Sequence, residues 1–124
     1  MTVAFWCVLA AAFLPLLFTG LAKLGGRGFD NRAPRAWLES QSGWRLRAHW
    51  AQENSYESFP PFAAGVIIAH IAGAPQGTID ALALVYVAAR LVYGGFYVAN
   101  LALARSLAWT AGAACVVGLF IAAA

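Results

Sequence analysis

The chain has 124 residues, of which 62% are hydrophobic and only 10% charged. An ordinary soluble domain is roughly 45 to 50% apolar, so this composition excludes one and indicates a membrane protein. The formal charge of +3 does not mark a nucleic-acid partner either, because six of the eight basic residues (Lys23, Arg27, Arg32, Arg35, Arg45 and Arg47) gather in or beside one loop.

Four apolar runs, about residues 3–24, 48–73, 79–99 and 107–123, each approach the ~20 residues that span a hydrocarbon core as helix. They predict an all-α membrane protein, a four-transmembrane-helix up-down bundle that occupies residues 1–124 as one domain. The basic loop obeys the positive-inside rule if it is cytoplasmic, which puts both termini outside a multi-pass protein of the cell membrane.

The first run, TVAFWCVLAAAFLPLLFTGLAKL, lacks a charged start and is followed by basic residues, so it reads as a retained signal anchor. Pro15 removes one backbone hydrogen bond and predicts a kink. Lys23 is placed to snorkel to the headgroups. Cys7 and Cys115 both fall within apolar runs and read as free buried thiols. In the loop that follows, APRAWLESQSGW predicts a short interfacial helix, with Trp37 and Trp44 at the interface. Asp30 and Glu39 have arginines close by for solvated pairs of little energetic weight.

The second run opens on RAHWAQENSYESFPPF, which is too polar for its position. A charged group at bilayer depth costs roughly 2.5 to 3.5 kcal/mol on insertion scales, so Glu53 and Glu57 need partners or a function. At 100° per residue His49, Trp50, Glu53, Asn54, Glu57 and Pro61 share an arc of about 140°. Pro60 and Pro61 cannot donate to the carbonyls of Tyr56 and Glu57, and predict a bend. Beyond them Gly65, Ala69 and Gly73 permit close helix packing.

Thr78 is the expected N-cap of the third helix. On that helix Tyr86, Arg90, Tyr93, Tyr97 and Asn100 fall within about 80° of one another. Because the second and third helices run antiparallel, the two polar stripes share a leaflet, and Arg90 is positioned to neutralise Glu57 or Glu53. Tyr86 reads as packing. The fourth helix begins after Arg105 and Ser106; Ala108, Gly112, Ala114 and Gly118 suit close packing, and the span holds no ionisable group. His49, Glu53 and Glu57 have no histidine or carboxylate opposite them at matching depth, so no metal site is expected. His70 reads as a packed or interfacial histidine.

A ligand where the stripes meet would face Gln52, Asn54 and Glu57 on one wall and Arg90, Tyr93 and Tyr97 on the other. That donor set suits a zwitterionic peptide: arginine grips a carboxylate, glutamate accepts from an ammonium, and amide side chains pair with amide bonds. If the ligand carries a thiol, Arg105 and Ser106 are placed to stabilise its thiolate. The membrane would deliver a lipophilic small molecule as co-substrate.

The pattern of Arg47, Ala51, Gln52, Asn54, Glu57, Phe59 and Pro60, then Arg90, Tyr93 and Tyr97, then Arg105 and Ser106, resembles the MAPEG family, the membrane-associated proteins in eicosanoid and glutathione metabolism. The resemblance covers essentially the whole chain. It implies a homotrimer of four-helix protomers, with glutathione sites between subunits on the cytoplasmic side and transferase or peroxidase activity on lipophilic electrophiles. It also implies glutathione contacts for Gln52, Asn54, Glu57, Tyr93 and Tyr97, and thiol activation for Arg105. Trp50 departs from the pattern, since glutathione-using members carry an arginine there that holds a carboxylate; Arg47, one turn earlier, is the available substitute. The departure leaves a second expectation open, a lipid-binding or accessory subunit of a larger membrane complex without glutathione chemistry.

Overall fold

The computed structural model describes residues 1–124 and is entirely helical: α1 (Val3–Lys23), α2 (Pro34–Glu39), α3 (Gly43–Ile71), α4 (Gln76–Val98) and α5 (Ala102–Ala123). The helices α1, α4 and α5 are each long and apolar enough to cross a membrane. The 29 residues of α3 make it the longest helix, about 43 Å at 1.5 Å per residue, and its polar first half keeps it out of that class. The four long helices alternate in direction. α3 and α4 form the central diagonal of the bundle, each packing against both α1 and α5.

Three core clusters are stacked along the bundle. Cys7, Phe62, Val66, Ile79, Tyr86, Cys115 and Leu119 belong to the one at the far end, away from the basic loop. Leu14, Phe18, Ala51, Tyr93 and Ala108 make the middle layer. Ala22, Trp37, Leu38 and Ala48 close the loop end. Only 27 of 124 residues are buried, and the outside carries Trp6, Phe13, Leu16, Leu17, Leu84, Val85, Leu103 and Phe120. So broad an apolar skin exceeds what a water-soluble monomer exposes and suits lipid. Both cysteines are free and buried.

Helix ends account for most departures from the expected boundaries. The second helix begins at Gly43, five residues before Ala48, because Arg45 and Arg47 are tied into the bundle there. Arg45 Nη1 donates to the carbonyls of Ala22 and Leu24 at the end of α1, at 3.0 and 2.6 Å. Arg47 donates through Nε and Nη2 to the Val98 carbonyl at the end of α4, at 3.2 and 3.1 Å. Both guanidinium groups thus satisfy carbonyls a helix C-terminus leaves free, where positive charge is favoured.

Thr78 is not the cap of α4. That helix starts two residues earlier, after Pro75, whose ring presets the backbone at a helix entry. Gly73, grouped above with the close-packing glycines, instead ends α3 at φ +74°, with Ala74 N–H donating to Ala69 C=O. Gly65 does pack closely, against Leu119 and Phe120. Asn100, at φ +62°, ends α4 the same way, with Leu101 N–H donating to Phe96 C=O. This tight reversal lets α5 start at Ala102, so Arg105 and Ser106 lie inside its opening turns and not ahead of it.

The loop helix is shorter than its sequence suggested. Ser40 Oγ and Gln41 Nε2 both donate to the Trp37 carbonyl and stop α2. Trp37 is not an interfacial anchor; it is 8% exposed, its Nε1 donates to the Arg27 carbonyl, and Gly26 makes room for its ring. Asp30 folds back on the backbone N–H of Arg32 and pairs with no arginine. At the far end Asp80 accepts from the Ala4 N–H, and Thr2 Oγ1 accepts from Phe5 N–H and bonds His70 Nε2 at 3.1 Å. The His70 ring, stacked on Phe5, is therefore packed as expected.

Candidate functional site

The site lies where the far and middle core clusters meet, on the face shared by α3, α4 and α5. Its centre is Arg90, which is 2% exposed. Gly112 of α5 lets the bundle close over it, with the Arg90 Cδ 3.6 Å from where a Cβ would stand. Arg90 Nη2 donates to Asn54 Oδ1 at 2.8 Å and to Ser55 Oγ at 3.4 Å, while its plane lies over the Tyr93 ring at 4.2 Å. Arg90 Nε has no hydrogen-bond partner.

The expected direct pair between Arg90 and Glu57 or Glu53 is absent. Asn54 stands between the charges as a relay: its Oδ1 accepts from Arg90 and its Nδ2 donates to Glu57 Oε2 at 3.3 Å. An amide can do this because it has an acceptor and a donor on one plane. Ser55 Oγ in turn donates to the Ala51 carbonyl at 2.7 Å. Both protein hydrogen bonds to the buried guanidinium therefore come from neutral groups on α3.

Three adjoining clefts open around this relay. A largely apolar one of about 360 Å³ runs along α5 past Tyr86, Arg90, Trp109, Gly112, Val116 and Val117, with Asn54 and Glu57 at one end. A polar one of about 370 Å³ is framed by Trp50, Glu53, Asn54, Glu57, Tyr93 and Tyr97. A third, about 290 Å³, is bounded by Tyr93, Tyr97, Arg105, Ser106, Trp109 and Thr110. They share residues pairwise, so they form one continuous groove.

An aromatic ladder sets the walls. Tyr93 and Tyr97 meet edge to face at 5.6 Å, and Trp50 lies 6.2 Å from Tyr97. The Arg105 guanidinium sits over Tyr97 at 4.5 Å. This stacking holds Arg105 at the third cleft without a carboxylate partner, and Ser106 lines the same cleft. A cation with no acidic partner and a serine in the same cleft is chemically suited to hold a developing anion.

The structure thus brings together Asn54, Glu57, Arg90, Tyr93, Tyr97, Arg105 and Ser106. Two expected members lie elsewhere. Arg47 is committed to the Val98 carbonyl, and Gln52 Oε1 lies 3.1 Å from His49 Nδ1; neither lines the groove. His49 Nε2 is 3.4 Å from Glu53 Oε1, near enough for an ion pair but out of line for a hydrogen bond. No group of three His, Cys, Asp or Glu side chains converges anywhere.

Several lining residues are not among those the sequence placed at the site. Trp109 and Gly112 follow Arg105 at helical spacings of four and seven, which put them on one face. Tyr86, expected to pack, does stack on Phe62 at 3.8 Å, but its hydroxyl also bonds Ser58 Oγ at 3.0 Å beside the apolar cleft. Ser55 and Ser58 gave no signal beyond their place on α3.

A comparison with curated proteins finds no match. Over residues 3–124, however, the chain matches the MAPEG family, whose members are membrane proteins of eicosanoid and glutathione metabolism. With a match that covers essentially the whole sequence, and a helical bundle clad in apolar side chains to go with it, the chain belongs to the MAPEG family.

Proposed function

We propose that residues 1–124 form one four-span transmembrane domain, assembled as a homotrimer, that binds glutathione in the α3–α4–α5 groove and transfers it to lipophilic electrophiles or uses it to reduce them. The basic loop would face the cytoplasm and both termini the outside of the cell membrane. The observation that carries the reading is Arg105, held over Tyr97 without an acidic partner, with Ser106 beside it at the end of a groove whose other end is apolar.

The residues present fit such a ligand in kind. Asn54 and Glu57 offer an amide and a carboxylate for a peptide and its ammonium, and the cleft volumes lie at the lower end of the ~300 to 1,000 Å³ common for ligand pockets. Glutathione, when bound, supplies a thiol sulfur as the nucleophile. Arg105 would hold negative charge at that sulfur and Ser106 would donate to it, lowering the fraction that stays protonated. Trp109, Val116 and Val117 would seat the apolar co-substrate next to it and exclude water. The Arg90–Asn54–Glu57 relay would fix the orientation of the peptide-binding wall.

Calorimetric titration of the purified protein with glutathione tests this: saturable binding is expected, and no response at millimolar ligand would sink it. A second reading, a lipid-binding or accessory subunit of a larger membrane complex, is favoured by Trp50, which stands at the lip of the polar cleft where a carboxylate-holding cation is expected. It predicts that Glu57→Gln weakens assembly. A Glu57→Gln protein that stays assembled and loses thiol-dependent turnover would exclude that reading.

A further inference from the structure

The polar cleft is short of positive charge. Its rim carries two carboxylates, Glu53 and Glu57, both exposed, with Trp50 on the same helix and Tyr93 and Tyr97 supplied by α4. Every cation in reach is committed elsewhere. Arg47 spends its Nε and Nη2 on the Val98 carbonyl. Arg90 is buried behind the wall, bonded to Asn54 and Ser55. Arg105 is stacked on Tyr97 and borders the third cleft, not this one. His49 is 5% exposed, its Nδ1 is engaged by Gln52, and the cleft does not include it.

The groups that line the cleft are two carboxylates, one indole, two phenol rings and the Asn54 amide; Arg90 and Arg105 lie 4.2 and 4.5 Å from the Tyr93 and Tyr97 ring centres but do not line it. The two carboxylates by charge, and the uncommitted Trp50 ring by its quadrupole, favour an alkylammonium over a carboxylate there. Glutathione carries two carboxylates and one ammonium, so part of it meets like charge here. Resting on the thiol-transfer reading above, we propose that the groove selects a carboxylate-poor thiol, an aminothiol or a thiol peptide with its terminal carboxyl blocked as an amide or ester, over free glutathione. Trp50 and Glu53 are the residues that set this preference. The thiol lies toward Arg105 and Ser106, while the ammonium end lies beside the Trp50 ring, against the two glutamates.

Titrations of the detergent-solubilised full chain with glutathione, glutathione monoethyl ester and cysteamine test it. The ester is expected to bind at least about tenfold tighter than glutathione, which is 1.4 kcal/mol. Trp50→Arg, which puts a cation at the cleft lip, should abolish or reverse the difference by strengthening the binding of free glutathione, and Glu53→Gln should reduce it. Because Trp50→Arg is read as a gain of affinity, misfolding cannot imitate the expected result. Glutathione binding as tightly as its ester to the unsubstituted chain would overturn the charge selection and leave thiol transfer standing. Silence toward all three ligands would overturn both.

Discussion

Removing Asn54 should destabilise the protein chiefly because of what it leaves behind. Asn54→Ala deletes the 2.8 Å bond to Arg90 and the 3.3 Å bond to Glu57 together. Arg90 is 2% exposed, and of its protein acceptors only the 3.4 Å contact with Ser55 Oγ remains. A hydrogen bond to a buried charged group contributes about 1.5 to 3 kcal/mol, so the loss should be about 2 kcal/mol. In an Arg90→Met background the buried charge is gone, and the same Asn54→Ala change should cost under about 1 kcal/mol. The double-mutant cycle, read from reversible unfolding in mixed detergent micelles, isolates that coupling. Equal costs of Asn54→Ala in the two backgrounds would refute the relay.

Gly94 faces the ring of Phe18 with no room for a Cβ. Gly94→Ala should therefore cost about 1 to 3 kcal/mol in the same unfolding assay, and adding Phe18→Leu should recover most of it. Gly73→Ala forces a side chain into φ +74° and should cost about 1 kcal/mol, with no effect on ligand binding, because Gly73 lines no part of the groove. Arg45→Met removes both bonds to the end of α1 and should speed amide hydrogen exchange at Leu21 to Leu24 while leaving α4 and α5 unchanged.

Much of this site was legible because helical periodicity and depth are both encoded locally. Asn54 and Glu57 share a face of α3, Arg90, Tyr93 and Tyr97 share a face of α4, and antiparallel helices bring the two stripes to one level. The partners within the site were less legible, since Glu53, Asn54 and Glu57 share one face of α3 and the rotation of that helix about its axis decides which of them meets Arg90. Arg45 and Arg47 were hardest: the positive-inside rule already explained them, and nothing local marks a guanidinium that reaches a carbonyl 51 residues away, as Arg47 reaches Val98. Helix starts slipped for a related reason, since Asn100 at positive φ shortens the last turn and moves α5 forward. Trp109 lies on the helix face that Arg105 and Gly112 define, and the apolar character of that helix obscured it.

The most direct test is the ultraviolet absorbance of a bound thiolate, measured with glutathione and its monoethyl ester on the unsubstituted protein and on Arg105→Met. The account predicts a thiolate signal near neutral pH that Arg105→Met abolishes while thiol binding persists, with conjugation of a lipophilic electrophile slowed about 10² to 10³-fold. Bound thiol without a thiolate signal, or an equal signal in Arg105→Met, would contradict it.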